Sequence, residues 1–153
     1  MPRAARTPDP NPSEQSGAFG RWRFWRRWFG QRSERYAAKY LRKHGYKILA
    51  VNIADRRGEL DLLVMAPDRT TLVVVEVRST SQADPHIAAS TVDFRKQKRI
   101  SDATLRFLQK HHLFQIVCRF DILAIAWPEL AREPSVLHIE NAFESIGKFQ
   151  FYS

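Results

Sequence analysis

Gly58-Glu59-Leu60-Asp61-Leu62-Leu63-Val64-Met65, then the break Ala66-Pro67-Asp68-Arg69-Thr70, then Thr71-Leu72-Val73-Val74-Val75-Glu76-Val77-Arg78, is the part of this chain that says most about its architecture. Two apolar, largely β-branched runs around a polar, turn-rich break read as a β-hairpin. If Ala66 and Thr71 close a four-residue loop, Met65 faces Leu72 and the register carries on to place Asp61 opposite Glu76 and Glu59 opposite Arg78. All four charged residues then share one face, because side chains alternate along a strand.

Like charges directly opposite each other destabilise a sheet, so Asp61 facing Glu76 needs a cause. The hairpin end is solvated, or Arg78 neutralises the pair, or a divalent cation lies between the carboxylates. A β-bulge in either strand would break this register.

Upstream, Gln31 to His44 reads as a helix with Ser33 as N-cap and Gly45 as the stop. Ala37, Ala38 and Leu41 form its apolar stripe, and Glu34 falls on the same stripe one turn earlier. A Glu in a first turn is favoured by the helix dipole alone; on an apolar stripe it is also a candidate site residue. Tyr46 to Ile53 reads as a first strand, and Ala54-Asp55-Arg56-Arg57-Gly58 turns it into the hairpin with two arginines at the mouth. Downstream, residues 79–85 form a polar loop without periodicity, a candidate rim of the site.

A second helix is expected from about Thr91 or Asp93 to His111, with Ile100, Ala103, Phe107 and Leu108 at core spacing. Its first turns carry Arg95, Lys96, Gln97, Lys98 and Arg99. Such a run is commonly a solvated face, yet basic residues near a positive helix end also suit a phosphate backbone. Ile116 to Trp127 reads as a buried strand, with Cys118 as a core residue, and Val136 to Glu140 as a short last one. Phe143, Phe149 and Phe151 suggest packing of the C-terminal stretch on the core.

At the other end, residues 1–17 hold four of the eight prolines and no hydrophobic periodicity, the composition of a disordered tail. Residues 18–30 stand apart: three of the four tryptophans lie among four arginines between Phe19 and Phe29. An extension packed on the domain, an arm stacking on nucleic acid and an interfacial membrane helix all fit this segment. A single globular domain is expected over residues 31–153.

With 153 residues, 44% of them apolar, the chain can bury a sizeable core. Lys and Arg number 25 against 16 acidic residues, a formal charge of +9, which favours a polyanionic partner, nucleic acid or an anionic membrane surface. One cysteine excludes an intramolecular disulfide and a Cys-rich zinc site. With no long apolar run and no signal-like core, the expectation is a soluble, cytoplasmic protein. None of the five histidines has zinc spacing with a partner, and no Gly-rich phosphate loop or Ser-centred nucleophile elbow occurs.

The order helix, three strands, helix, strand, with acidic residues at Glu34, Asp61 and Glu76, resembles the restriction-endonuclease-like nuclease superfamily. More narrowly, Glu34 through Leu41, Gly58-Glu59-Leu60-Asp61-Leu62, Val75-Glu76-Val77-Arg78, Arg95-Lys96-Gln97-Lys98-Arg99 and Arg119-Phe120-Asp121 resemble the YraN family of bacterial proteins. The resemblance runs from about Gln31 to Phe143. It implies an α/β fold with an αβββαβ core, a mixed central sheet flanked by helices, and kinship with Holliday-junction resolvases. It also implies that Asp61 and Glu76 bind Mg²⁺ or Mn²⁺, that Glu34 completes the site, and that the substrate is DNA rather than RNA, branched or otherwise structured. Pairing of two chains as a homodimer is a further implication.

In such proteins a lysine stands two residues after the strand glutamate and helps position and activate the water. Here that position is Arg78. Arginine stays protonated and cannot act as a general base. Arg78 then orients the scissile phosphate or stabilises charge, or Lys96 or Lys98 substitutes in space, or the protein binds nucleic acid without cutting it.

Overall fold

The computed structural model describes residues 32–113 and 115–147. The expected tail at 1–17, the Trp/Arg segment at 18–30, and Phe149 and Phe151 lie outside that range. The elements are α1 (Arg32–Lys43), β1 (Lys47–Asp55), β2 (Gly58–Met65), β3 (Thr71–Thr80), α2 (Pro85–Ala89), α3 (Phe94–Lys110), β4 (Val117–Ala126) and β5 (Ser135–Phe143). The strands form one sheet in the order β1-β2-β3-β4-β5. β3 and β4 run parallel, joined by the crossover through α2 and α3, and every other neighbour pair is antiparallel. This is the mixed sheet flanked by helices, with the restriction-endonuclease-like order of elements, that the sequence predicts.

The hairpin forms in the expected register. Ala66 N–H donates to the Thr71 carbonyl at 2.9 Å, and Met65 to Leu62 pair with Leu72 to Val75. Asp68 shapes the turn by accepting from the N–H groups of Thr70 and Thr71 and from the Thr71 hydroxyl. Leu62, Leu63 and Leu72 are fully buried, each stabilising the fold by about 1.5–3 kcal/mol. An unfavourable charge pair in a sheet costs about 0.2–1 kcal/mol, so the apolar run decides the register and the carboxylates follow.

Two cores form, one on each face of the sheet. Ala37, Ala38 and Leu41 of α1 pack on Leu62, Val64, Val73, Val75, Leu123 and Ile125. Ile100, Ala103 and Leu108 of α3 pack on Leu63, Met65, Leu72, Val74, Phe120 and Ile122. Cys118 belongs to the α3-side core. β4 feeds both cores, which accounts for its near-continuous apolar sequence.

Three local expectations change. Ser33 is not the N-cap of α1: the helix already includes Arg32, and the buried Ser33 Oγ accepts from Trp127 Nε1 at 2.9 Å. Gly45 does end the helix, at φ +86°, a conformation costly for residues with a Cβ. The polar loop after Arg78 holds more structure than periodicity shows, since β3 runs on to Thr80 and α2 follows, capped by Asp84 with Pro85 in its first turn. At five residues α2 is too short to display a helical repeat. β5 extends to Phe143, which stacks on Phe120 with ring centroids 5.0 Å apart. Among the described residues no helix is long and apolar enough to cross a membrane.

Candidate functional site

β2 and β3 pair only as far as Leu62–Val75. Beyond that point they part: β2 continues beside β1 to Gly58, and β3 continues beside β4 to Thr80. Asp61 and Glu76 flank the opening. Antiparallel partners alternate between exchanging backbone hydrogen bonds and exchanging none, so a continued ladder would give the Val77 N–H to Leu60. Instead it donates to Asp61 Oδ2 at 2.9 Å, and a side chain supplies the acceptor that the departing strand withdraws.

Residue placement at the opening follows from a break in strand alternation. On β3, Leu72 and Val74 face α3, so Glu76 and Arg78 continue on that face. In β1 and β2, Val51 and Leu62 belong to the α1-side core, whereas Ile53 and Leu60 pack in the α3-side core. Residues two apart thus change faces around Asn52 and Asp61, which the flanking pairs place opposite each other. Asn52 has φ +47°, a left-handed conformation that Asn tolerates better than most residues. Its Nδ2 donates to Glu34 Oε2 at 3.1 Å. Glu34 therefore reaches the site through Asn52 rather than by direct convergence with the other two carboxylates.

Glu76 is 3% exposed and meets two cations at the same oxygen: Lys96 Nζ lies 3.1 Å and Arg78 Nε 3.3 Å from Oε1. The Arg78 contact is an ion pair without hydrogen-bond alignment. Burial, and next the Glu76 charge, push the Asp61 carboxyl up to about 7, while the Val77 N–H and Lys96 act in the opposite direction. Glu59, expected to face Arg78, is exposed and pairs with Ala54 of β1. The opening of the ladder separates it from Arg78, which turns to Glu76.

The chemistry of this donor set suits a hard divalent cation. Mg²⁺ commonly takes one or two protein carboxylates and fills its remaining positions with water and substrate phosphate. Asp61 and Glu76 supply such a pair, held close enough for the Glu76 charge to oppose ionisation of Asp61. Among the described residues no three His, Cys, Asp or Glu side chains converge, so the protein's share would be these two.

Of the basic residues singled out in the sequence, Arg56 and Arg57 are exposed at the β1–β2 turn, and Arg95, Lys98 and Arg99 are exposed on α3. The turn is tied to the helix. Asp55 accepts from the N–H groups of Arg57 and Gly58, and Arg106 grips the same carboxylate with Nε at 2.5 Å and Nη2 at 3.0 Å. Gly58 sits against Arg106 and Ala103, where an added Cβ would lie 3.4 Å from Arg106 Nη2. Arg56 and Arg57 are thereby brought alongside the flank of α3 that carries Arg99. Gln97 turns inward, its Nε2 donating to the Val92 carbonyl. Lys98 pairs with Asp102 at 2.9 Å; of the two candidate lysines, only Lys96 reaches Glu76.

A second polar cluster lies on the α1 side. Asp121, fully buried, accepts from Arg119 Nε and Nη2, His138 Nε2 and the Asn141 N–H at 2.8–3.0 Å. Burial alone would raise its carboxyl; the hydrogen bonds from His138, Arg119 and Asn141 outweigh that and hold it below the usual range. Arg119 Nη2 also donates to the Tyr46 hydroxyl, which donates to Glu140. With four donors satisfying Asp121, this cluster is a structural tie between β4, β5 and Tyr46, the residue that leads into β1.

Sequence reasoning missed Asn52, whose only sequence signal is a polar, left-handed-tolerant residue between the apolar positions Val51 and Ile53 of a strand. It placed Lys96 among the basic residues without separating it from Lys98. Helical phase distinguishes the two, since positions two apart project about 200° apart around a helix.

The profile of the uncharacterised protein family UPF0102 matches residues 33–125. The UPF0102 protein RB9115 of Rhodopirellula baltica is 40% identical over 124 residues, covering 80% of this chain and 74% of that one. A UPF0102 protein of Pseudomonas putida is 40% identical over 116 residues, with 75% and 91% covered, and one of Pelotomaculum thermopropionicum is 36% identical over 118 residues, with 77% and 97% covered.

Proposed function

Given that the chain belongs to the UPF0102 family, the YraN family it resembles in sequence, we propose that it is a Mg²⁺- or Mn²⁺-dependent endonuclease. It would hydrolyse phosphodiester bonds of DNA, branched or otherwise structured DNA in particular. The observation that carries this reading is the Asp61–Glu76 pair at the parting of β2 and β3, with Lys96 and Arg78 on one Glu76 oxygen.

Asp61 and Glu76 would hold the cation. When bound, a divalent cation supplies Lewis-acid polarisation of the phosphoryl group and a nucleophilic water near neutral pH. The chain's own residues do the rest. Glu34 steadies Asn52, and with it the β1 residue opposite Asp61. Arg78, one-third exposed, has terminal nitrogens free to contact phosphate and stabilise charge in the transition state. Arg56, Arg57, Arg95, Lys98 and Arg99 would contact the backbone on either side and set register without reading sequence.

The test is incubation with labelled linear duplex, single-stranded and four-way-junction DNA, and with RNA, with and without Mg²⁺ or Mn²⁺. Cation-dependent cleavage that disappears in Asp61→Ala is the expected result. Cation-independent cleavage, or cleavage that survives Asp61→Ala, refutes the mechanism.

Arg78 in the lysine position favours a second reading, a nucleic-acid-binding module of the same fold that does not cut. It predicts salt-dependent binding with no cleavage under either cation, and gain of cleavage in Arg78→Lys.

A further inference from the structure

We propose that Lys96, delivered from α3, is the cation that orients the attacking water together with the scissile phosphate, while Arg78 supports it from the strand by phosphate contact. This inference rests on the nuclease reading. It explains how a chain with arginine in the strand position can still present a lysine ammonium to the carboxylates.

The two cations are built differently. Arg78 meets Glu76 through Nε, the guanidinium nitrogen nearest its own backbone. A contact so close to the root of the side chain ties its stem to the strand. Lys96 meets the same oxygen through Nζ, the end of a four-carbon stem, and an ammonium has three donors. Lys96 is ion-paired with Glu76 and its side chain is 26% exposed, which leaves donors for ligands in the opening. Its backbone is fixed at the same time: Asp93, the N-cap of α3, accepts from the Lys96 N–H at 2.8 Å. A rooted residue with a mobile, multiply donating tip is suited to following a phosphate as its geometry changes.

In the hydrolysis, a water oxygen bonds to phosphorus and the bond from phosphorus to one ester oxygen breaks. One water proton passes to solvent, and the departing oxygen takes one up. Lys96 acts only as a hydrogen-bond donor and transfers no proton of its own.

The experiment compares wild type, Lys96→Met, Lys96→Arg and Arg78→Met in two assays: Mn²⁺ binding by calorimetry without DNA, and cleavage of the best DNA substrate. Lys96→Met is expected to lower cleavage by about 100-fold or more with Mn²⁺ affinity equal to or tighter than wild type, because a positive charge beside the carboxylates is gone. Lys96→Arg should recover part of the loss, and Arg78→Met should cost less than Lys96→Met. Cleavage by Lys96→Met within about threefold of wild type overturns the proposal while leaving the nuclease reading intact. Loss of Mn²⁺ binding together with cleavage also overturns it, since Lys96 would then only position Glu76. A wild-type protein that cleaves no DNA with either cation overturns both.

Discussion

The backbone N–H of Val77 donates to the side chain of Asp61 at 2.9 Å, so one carboxylate both seals the gap between β2 and β3 and lies beside Glu76. These two roles separate by mutation. Asp61→Asn keeps an acceptor for Val77 and removes the charge. Asp61→Ala removes both and leaves a half-buried N–H without its partner, which costs about 1–3 kcal/mol. In cation-free buffer at pH 8, urea unfolding should find Asp61→Asn at least as stable as wild type and Asp61→Ala less stable by that amount. Equal stability of the two variants would remove the structural role assigned to the bond.

Asp61 also makes stability depend on pH. Burial and the Glu76 charge push its carboxyl up to about 7 from an ordinary 3.8. Between those values the folded chain retains a proton that the unfolded chain has released. The stabilisation is therefore fully present below the unfolded value and is lost as pH rises through the folded one, by at most about 1.4 kcal/mol per pH unit. Subtracting the unfolding free energy of Asp61→Asn from that of wild type at each pH isolates this contribution. The difference should fall from pH 4.5 to pH 8, and Mn²⁺ affinity should rise over the same interval; a flat difference curve contradicts the assignment.

Asp121 should behave in the opposite way. Its carboxyl is held below the usual range, so the stability it contributes is present above the unfolded value and lost as pH falls through the folded one. Asp121→Ala strands Arg119 and His138 inside the fold and should cost about 3–5 kcal/mol in urea unfolding. A loss below about 1 kcal/mol would show that solvent replaces the carboxylate there.

The exposed arginines can be assigned by salt dependence. Each phosphate contact removed from a protein on duplex DNA flattens the plot of log affinity against log salt by about 0.9. Arg56→Ala with Arg57→Ala, and separately Arg95→Ala with Arg99→Ala, should each flatten it by up to about twice that without changing sequence preference. The pair whose removal leaves the slope unchanged lies off the DNA.

The hairpin and its register are legible in the residues because they follow from local forces: alternation over a few positions, turn chemistry at Asp68, and apolar burial that outweighs one charge pair. The buried strand β4, and the helices ended by Gly45 and capped by Asp93, follow from the same short-range rules. What stays hidden depends on how separate elements dock. The parting of β2 and β3 beyond Leu62–Val75 arises where β3 continues beside β4 and β2 beside β1. Glu34 reaches Asn52 across the α1–β1 packing. Lys96 arrives at Glu76 only because the crossover lays α3 over the sheet in one rotational phase, which turns Lys96 inward and Lys98 outward. Periodicity and turn preference act over a few residues and are written into the chain. Convergence of charges from β2, β3 and α3, with Glu34 of α1 joined through Asn52, requires those elements to be packed together first.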